Sequence, residues 1–341
     1  MKDLSCLNAL TRSWTRMLRI LFKPFSLDKW LVLGFCVWLA YMFENLGGSF
    51  NLNLGKLSGS GSAGNDLGPI WPWLKKLLLS NKPLYARLAD LLGVNPGTLL
   101  IVFAGIGIVL IIGLIITVTV LWLKSRFEFI LIENLALNKA DITASWKKFK
   151  QLGNSAFAFR IVVWLLSLAV MAFLALTSFL CFITWLKKCA VNEKLVYPGW
   201  HTAAAIILMF ILWLTVSLIL SLINFFFKEF VLVIMYKKRN NAVRACYYFF
   251  ELLKEQTWLF IRYLLMKIAV YLAFGVAVII IIVMTCCLAV LPLIIPYVGT
   301  VILLPAFVFF RLLGMEMLAG FGSEFSVFPE SEPPPSPPQQ S

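Results

Sequence analysis

Residues 128–152 read EFILIENLALNKADITASWKKFKQL, and residues 229–253, which begin 101 positions further along the chain, read EFVLVIMYKKRNNAVRACYYFFELL. In the second part of each segment, apolar residues recur at the spacing expected for one face of a helix. These residues are Ile142, Ala144, Trp146, Phe149 and Leu152 in the first segment and Val243, Ala245, Tyr247, Phe250 and Leu253 in the second. Each segment also lies between two apolar runs long enough to cross a bilayer. The pattern predicts a repeated module of span, amphipathic helix and span.

The composition indicates an integral membrane protein. Of the 341 residues, 61% are hydrophobic and 13% are charged, and the mean hydropathy is +0.90. A soluble domain carries roughly 25% charged residues, so this chain lacks the charge that a water-facing surface needs. The net charge of +14 is typical of positive flanks beside the spans and of contact with anionic headgroups. Nucleic-acid binding is not expected, because every basic stretch adjoins apolar sequence.

Six apolar runs predict an all-α polytopic protein with six transmembrane helices. The predicted spans are residues 30–45, 99–123, 156–185, 202–227, 263–288 and 297–318. Leu10-Thr11-Arg12-Ser13-Trp14 resembles Ile142-Thr143-Ala144-Ser145-Trp146, and a span follows each segment. The chain therefore begins with the second half of a module and ends with the first half of another. This order predicts that the first and last spans complete a pseudo-threefold bundle.

The chain divides into three predicted regions. Residues 1–28 form a basic amphipathic helix in the headgroup plane, with Leu7, Leu10, Trp14, Met17 and Leu21 on one face and Arg12, Arg16, Arg19 and Lys23 on another. Residues 29–320 form the membrane domain, with an extracytoplasmic loop at 46–97 and repeats at 97–187 and 198–290. Residues 321–341, which end in a proline-rich run, predict a disordered cytoplasmic tail.

The basic residues beside the spans predict the orientation. We count 21 on the side that carries both termini and the repeated segments, and 8 on the opposite side. Basic residues are enriched in cytoplasmic loops. Both termini are therefore expected to be cytoplasmic, in what we predict to be a bacterial inner membrane.

One stretch of the first repeat resembles a known motif. Ile132-Glu133-Asn134, then Ala140, Ile142 and Ser145-Trp146-Lys147, is similar to a prokaryotic multi-pass family related to the membrane domain of some glycerophosphodiester phosphodiesterases. The resemblance covers about residues 97–290 and implies an uncharacterised six-span protein. The second repeat departs from it, because Met235-Tyr236 stands where the first has Glu133-Asn134. No phosphodiesterase domain is present, so that activity is not implied.

Charged residues near the span ends are the candidate functional positions. Arg126, Glu128, Glu229, Arg311 and Glu316 are candidate entry or ion-pair residues. They form either an interfacial ring of salt bridges or part of an ion-coupled transport path; in either case Arg311 and Glu316 are expected to pair with Glu128 or Glu229. The candidate anionic-lipid contacts are Arg12, Arg16, Arg19, Lys147, Lys150 and Arg244.

Enzymatic activity, cofactors and metals are not expected. The sixteen acidic residues are scattered, and the single histidine, His201, stands alone. General acid–base and metal chemistry need converging side chains. Whether Cys189 pairs with Cys286 or Cys287 stays open, as does a protein partner for the proline-rich tail.

Two functions stay open. The first is a non-enzymatic protein that engages anionic lipids or organises the cytoplasmic leaflet through its amphipathic helices. The alternative is a transporter or flippase of lipid-like or apolar cargo, which needs few polar groups inside the membrane. The sequence indicates that the function depends on the cytoplasmic face, where the amphipathic helices lie, but it does not identify a substrate.

Overall fold

The structure, a computed structural model, describes residues 6–47, 95–192, 200–285, 292–293 and 295–329. In these ranges all regular structure is helical, which confirms the all-α prediction there. The helices are α1 (Cys6–Phe22), α2 (Leu27–Gly47), α3 (Pro96–Leu137), α4 (Thr143–Lys148), α5 (Lys150–Asn192), α6 (Trp200–Phe226), α7 (Leu232–Lys238), α8 (Ala242–Glu255), α9 (Thr257–Met284), α10 (Pro296–Ile302) and α11 (Leu304–Ala319). A π-helical turn, Phe227–Val231, joins α6 to α7.

Four stretches of helix in the described part of the chain are long and apolar enough to cross a membrane. They are Leu100–Leu137, Lys150–Trp185, Ala203–Lys238 and Thr257–Met284. These helices indicate a multi-pass membrane protein. The predicted spans 30–45 and 297–318 are not among the four, so the six-span count and the pseudo-threefold bundle stay predictions. Most of the predicted loop at 46–97, the proline-rich end of the tail, and Cys286 and Cys287 lie outside the described residues.

The charged residues do not end the helices where the sequence predicts. We expected the second span to stop at residue 123, but α3 continues through Lys124 and Arg126 to Leu137. Both charged side chains are buried in the protein. Because they lie against other helices rather than at a water boundary, the helix can continue past them.

The chain forms two compact units. Unit 1 comprises Met1–Gly47, Val120–Ile161 and Leu222–Ser341, and unit 2 comprises Gly48–Thr119 and Val162–Ser221. The described side chains of unit 2 are mostly exposed large hydrophobic residues from α3, α5 and α6. Such surfaces are suited to lipid rather than to water.

Helix α11 is the centre of unit 1. Thirteen of its 16 residues are buried, as expected for a helix that is apolar on all sides. Helices α1 and α2 and the π-helical turn all pack against it. We predicted this stretch as the last part of the span 297–318, with a kink at Pro305; the helix is interrupted at Leu303, and Pro305 lies in the first turn of α11. Proline is suited to a helix start because it has no N–H to leave unpaired.

Helix α1 buries part of the predicted apolar face against the protein. Met17 and Leu21 of that face are buried, together with Ala9, Ser13 and Ile20, whereas Leu7 and Trp14 are exposed. Helix α1 packs mainly against α11, and the small side chains of its buried face let the two helices approach closely. The hydroxyl of Ser13 is satisfied within the helix, since it donates to the carbonyl oxygen of Ala9 at 2.6 Å.

The beginning of the predicted tail is ordered. Residues 321–329 follow α11 as a segment that we call the strap, and its Val327 and Phe328 are buried. The ring of Phe321 stacks on Phe260, with centroids 5.5 Å apart. The prediction of disorder from residue 321 onward is therefore wrong for the strap. The apolar residues of the strap supply the burial that the proline-rich run lacks.

The amphipathic helix of the first repeat is short and packs inside unit 1. Helix α4 spans six residues, and the ring of Phe149 after it stacks on Phe129 at 6.0 Å. In the second repeat α8 is longer, and its Phe249 stacks on Phe230 at 5.6 Å. The apolar face of the first repeat is thus largely covered by protein, whereas α8 keeps one side exposed.

Candidate functional site

Three predicted carboxylates are buried in unit 1, and each has a cationic partner. Glu128, Glu229 and Glu316 are between 1% and 5% exposed. Glu128 pairs with Arg160, Glu229 with Lys267, and Glu316 with Arg16. A buried carboxylate is costly unless it is paired and hydrogen-bonded. The predicted pairing of Arg311 or Glu316 with Glu128 or Glu229 is therefore wrong, because each of these carboxylates has a different partner.

The Glu229 pair is the most enclosed. Its Oε2 lies 2.5 Å from Nζ of Lys267, and its Oε1 accepts a hydrogen bond from the Tyr263 hydroxyl at 2.9 Å. Gly314 of α11 lies directly against this carboxylate, since a Cβ on it would be 2.2 Å from Oε1. The site thus requires a residue without a side chain on the facing helix.

Glu229 lies in the π-helical turn, and Arg311 is bound to the same turn. The N–H of Leu232 donates to the carbonyl oxygen of Phe227, five residues earlier, so the Lys228 carbonyl does not receive that bond. Arg311 Nη1 donates to the Lys228 carbonyl oxygen at 2.6 Å. Arg311 therefore supports the turn that aims Glu229 at Lys267. Single π-turns inside α-helices are frequent at functional sites.

Several buried polar atoms in unit 1 lack a hydrogen-bond partner in the structure. They are Nε and Nη2 of Arg311, Nε of Arg126, Oε1 of Glu128 and Nδ2 of Asn134. Such atoms are rare in native proteins and indicate bound water, an ion or a functional role. Their concentration beside the buried ion pairs makes this region the strongest polar feature of the apolar protein.

The Arg126 guanidinium is held by aromatic rings rather than by a carboxylate. Its Cζ lies 4.3 Å from the ring centroid of Trp122 and 4.7 Å from that of Trp146. Its Nη2 donates to Asn154 Oδ1 at 3.2 Å. Gly153 packs against its side chain, where a Cβ would meet Arg126 Cγ at 2.8 Å. This predicted site residue thus fixes the start of α5 against α3.

The predicted lipid contacts divide into two groups. Arg12, Arg19, Lys147, Lys150 and Arg244 are exposed. Arg16 is not free in the same way: its Nε lies 2.6 Å from Glu316 Oε1, and its Cζ lies 3.6 Å from the Phe328 ring centroid. The structure therefore assigns Arg16 first to an internal ion pair.

Sequence reasoning missed the partners of the carboxylates. Arg160 and Lys267 are among the basic residues that predict the orientation, but both lie inside predicted spans, where a charge normally has a partner. Glu133 was noted only as part of a motif. It accepts a hydrogen bond from Ser145 at 2.6 Å and pairs with Lys148, which ties α4 to α3.

The described residues contain no group of three or more His, Cys, Asp or Glu side chains that could hold a metal ion.

Residues 4–326 match the model of a protein family, DUF7544, which is described as a family of unknown function. The chain belongs to this family. The match runs from the region of α1 into the strap and supports the expected uncharacterised family. It shows no link to the membrane domain of glycerophosphodiester phosphodiesterases, so that relationship stays a prediction. No curated protein and no solved structure matches the chain significantly.

Proposed function

We propose that this membrane protein engages anionic lipids of the cytoplasmic leaflet through α1 and α8, without enzymatic activity. The observation that carries the proposal is the free side of α8. Val243, Tyr247 and Phe250 recur at steps of four and three and are 74%, 70% and 55% exposed. Arg244 is exposed on the same helix. An amphipathic helix with exposed aromatic and basic residues is suited to the boundary between headgroups and acyl chains.

The energies favour this placement. Burying one large apolar side chain contributes roughly 1.5–3 kcal/mol, so inserting the three exposed side chains of α8 among acyl chains contributes up to roughly 4.5–9 kcal/mol. Each basic residue near an anionic leaflet adds about 1 kcal/mol. Helix α1 repeats the combination, with exposed Leu7 and Trp14 beside exposed Arg12 and Arg19.

The proposal includes the predicted topology, in which six spans of a bacterial inner membrane close a pseudo-threefold bundle and both termini are cytoplasmic. It is supported by the packing of the last helix, α11, on the first, α1. It is also supported by Asn138 and Arg239, left-handed residues with φ of 55° and 54° that follow α3 and α7 101 positions apart. In this arrangement α1 and α8 lie on one face of the membrane.

Spin labels test the placement of α8. A label at Tyr247→Cys, in a background without the native cysteines, is expected to be more accessible to oxygen than to a water-soluble nickel complex. The matched label at Glu255→Cys, an exposed charged position about 80° further round the same helix, is expected to show the reverse. The measurement uses bilayers of phosphatidylcholine with phosphatidylglycerol. Equal access of the nickel complex to both labels would contradict the proposal.

A transporter or flippase is the second candidate, and the buried ion pairs favour it. Ionisable residues within membrane-spanning helices commonly mark an ion or substrate path, and Lys267 lies in such a helix, paired with Glu229. A lipid-scrambling assay on reconstituted protein, with fluorescent phospholipid in one leaflet, separates the candidates. Lipid scrambling by the wild type that Glu229→Gln abolishes would favour transport. Absence of lipid movement under every ionic condition would exclude the transporter or flippase.

A further inference from the structure

Helix α1 carries an open groove on its basic side. The groove has a volume of about 230 Å³ and is lined by Thr11, Arg12, Thr15, Arg16 and Arg19. These residues follow one another at steps of one and three along a single helix, so they share one side of it. Three guanidinium groups therefore surround one small space.

The chemistry of the lining selects an anion with several acceptor oxygens. The hydroxyl of Thr11 donates to the carbonyl oxygen of Leu7 at 3.1 Å, and that of Thr15 donates to the carbonyl oxygen of Thr11 at 3.0 Å. These hydroxyl protons are used within the helix, so the arginines supply the donors for a ligand. Arginine presents a planar set of N–H groups that matches phosphate oxygens.

Arg16 is the fixed member of the groove. Its ion pair with Glu316 and its contact with the Phe328 ring hold the side chain from both sides. Arg12 and Arg19 are exposed, and their side chains make no hydrogen bond, ion pair or ring contact with the described part of the chain. One preset guanidinium between two free ones lowers the entropy cost of closing around a ligand.

The apolar side of α1 indicates where the ligand comes from. Leu7, Trp14 and Leu18 are exposed and recur at steps of seven and four, next to the buried face. With these residues among acyl chains, the arginines lie at the level of the headgroups. The anions at that level are lipid phosphates.

We propose that the groove formed by Arg12, Arg16 and Arg19 binds the phosphate group of an anionic glycerophospholipid. This inference rests on the proposed function and deepens it, because it assigns a specific headgroup site to one helix. It differs from general attraction to a charged leaflet, which depends on the number of basic residues and not on their arrangement.

Native mass spectrometry of the full-length protein, released from nanodiscs of phosphatidylcholine with phosphatidylglycerol, tests the site. The groove variant is Arg12→Gln with Arg19→Gln. The matched control is Lys147→Gln with Lys150→Gln, which removes the same charge from exposed positions elsewhere. We expect the groove variant to lower the affinity for phosphatidylglycerol about tenfold or more, and the control to lower it about threefold or less. Equal melting temperatures of both variants establish that the fold is retained.

The outcomes separate the groove from the general function. No preference of the wild type for phosphatidylglycerol over phosphatidylcholine would overturn the proposed function. A clear preference that both variants reduce equally would overturn the groove and leave lipid engagement standing. Displacement of the lipid by millimolar glycerol phosphate would identify a free phosphate ester as the ligand and overturn the lipid assignment. Equal retention of oleate would show that the site reads charge and not phosphate, which also overturns it.

Discussion

Replacing Lys267 by Met is expected to destabilise the protein strongly. Lys267 is 2% exposed and its partner Glu229 is 5% exposed, and their charged atoms lie 2.5 Å apart. The substitution keeps the volume of the side chain but leaves Glu229 with only the Tyr263 hydroxyl. Removing one partner of a buried ion pair costs about 3–5 kcal/mol, because the other charge stays buried.

A matched exposed pair provides the control. Lys238 lies 3.6 Å from Glu324, whose side chain is 75% exposed. Exposed pairs of this kind contribute little, because water and salt screen them. Glu324→Gln is therefore expected to change the free energy of unfolding by less than about 0.5 kcal/mol. The contrast between the two substitutions depends on burial, since each removes one charge from an ion pair.

Sodium dodecyl sulfate titration in mixed micelles measures these free energies of unfolding. The double variant Lys267→Met with Glu229→Gln is expected to recover most of the loss, because it removes both buried charges. A cost for Lys267→Met no larger than that for Glu324→Gln would refute the reasoning. Strictly additive effects of the two substitutions at the buried pair would also refute it, because residues in direct contact must couple.

Two further predictions follow from close packing and burial. Gly314→Ala forces a methyl group against the Glu229 carboxylate and is expected to cost about 1–3 kcal/mol. Gly107→Ala, with nothing within 4 Å, is expected not to lower the melting temperature. Burial raises the pKa of the Cys246 thiol to about 11, so its alkylation by iodoacetamide, followed by mass spectrometry, is expected to accelerate about tenfold per pH unit from pH 8 to 10. A rate that levels off near pH 9 would contradict the second prediction.

The sequence predicts the helices and the carboxylates well, because both depend on local patterns. Long apolar runs mark helices whatever surrounds them. Glu128 and Glu229 stand out because the same residue recurs after the same kind of apolar run. Because an unpaired buried charge is costly, each of these buried carboxylates needs a cationic partner.

The partners and the π-helical turn depend on tertiary contacts that the pattern does not contain. Arg311 supports the turn from a helix 83 positions away in sequence. The first repeat, with Glu128 in the regular helix α3, has no corresponding turn among the described residues. The two repeats therefore look alike in sequence at the point where their backbones differ.

For the strap, the sequence contains a signal of packing that the prediction of disorder does not use. Phe321, Phe325 and Phe328 recur at steps of four and three, which is a signal of packing. The proline-rich run that follows dominates the composition of residues 321–341, so composition alone does not distinguish the two parts. The last aromatic residue, Phe328, marks the end of the part that packs.

The contact between α1 and α11 has a consequence for the order of folding. Arg16 and Glu316 are separated by 300 positions, and a ribosome adds roughly 5–20 residues per second. Helix α1 is therefore made roughly 15–60 s before the helix that covers it. During that interval its buried face needs another environment, and the membrane surface is the nearest one. Helix α1 is thus synthesised well before its packing against α11 can be completed.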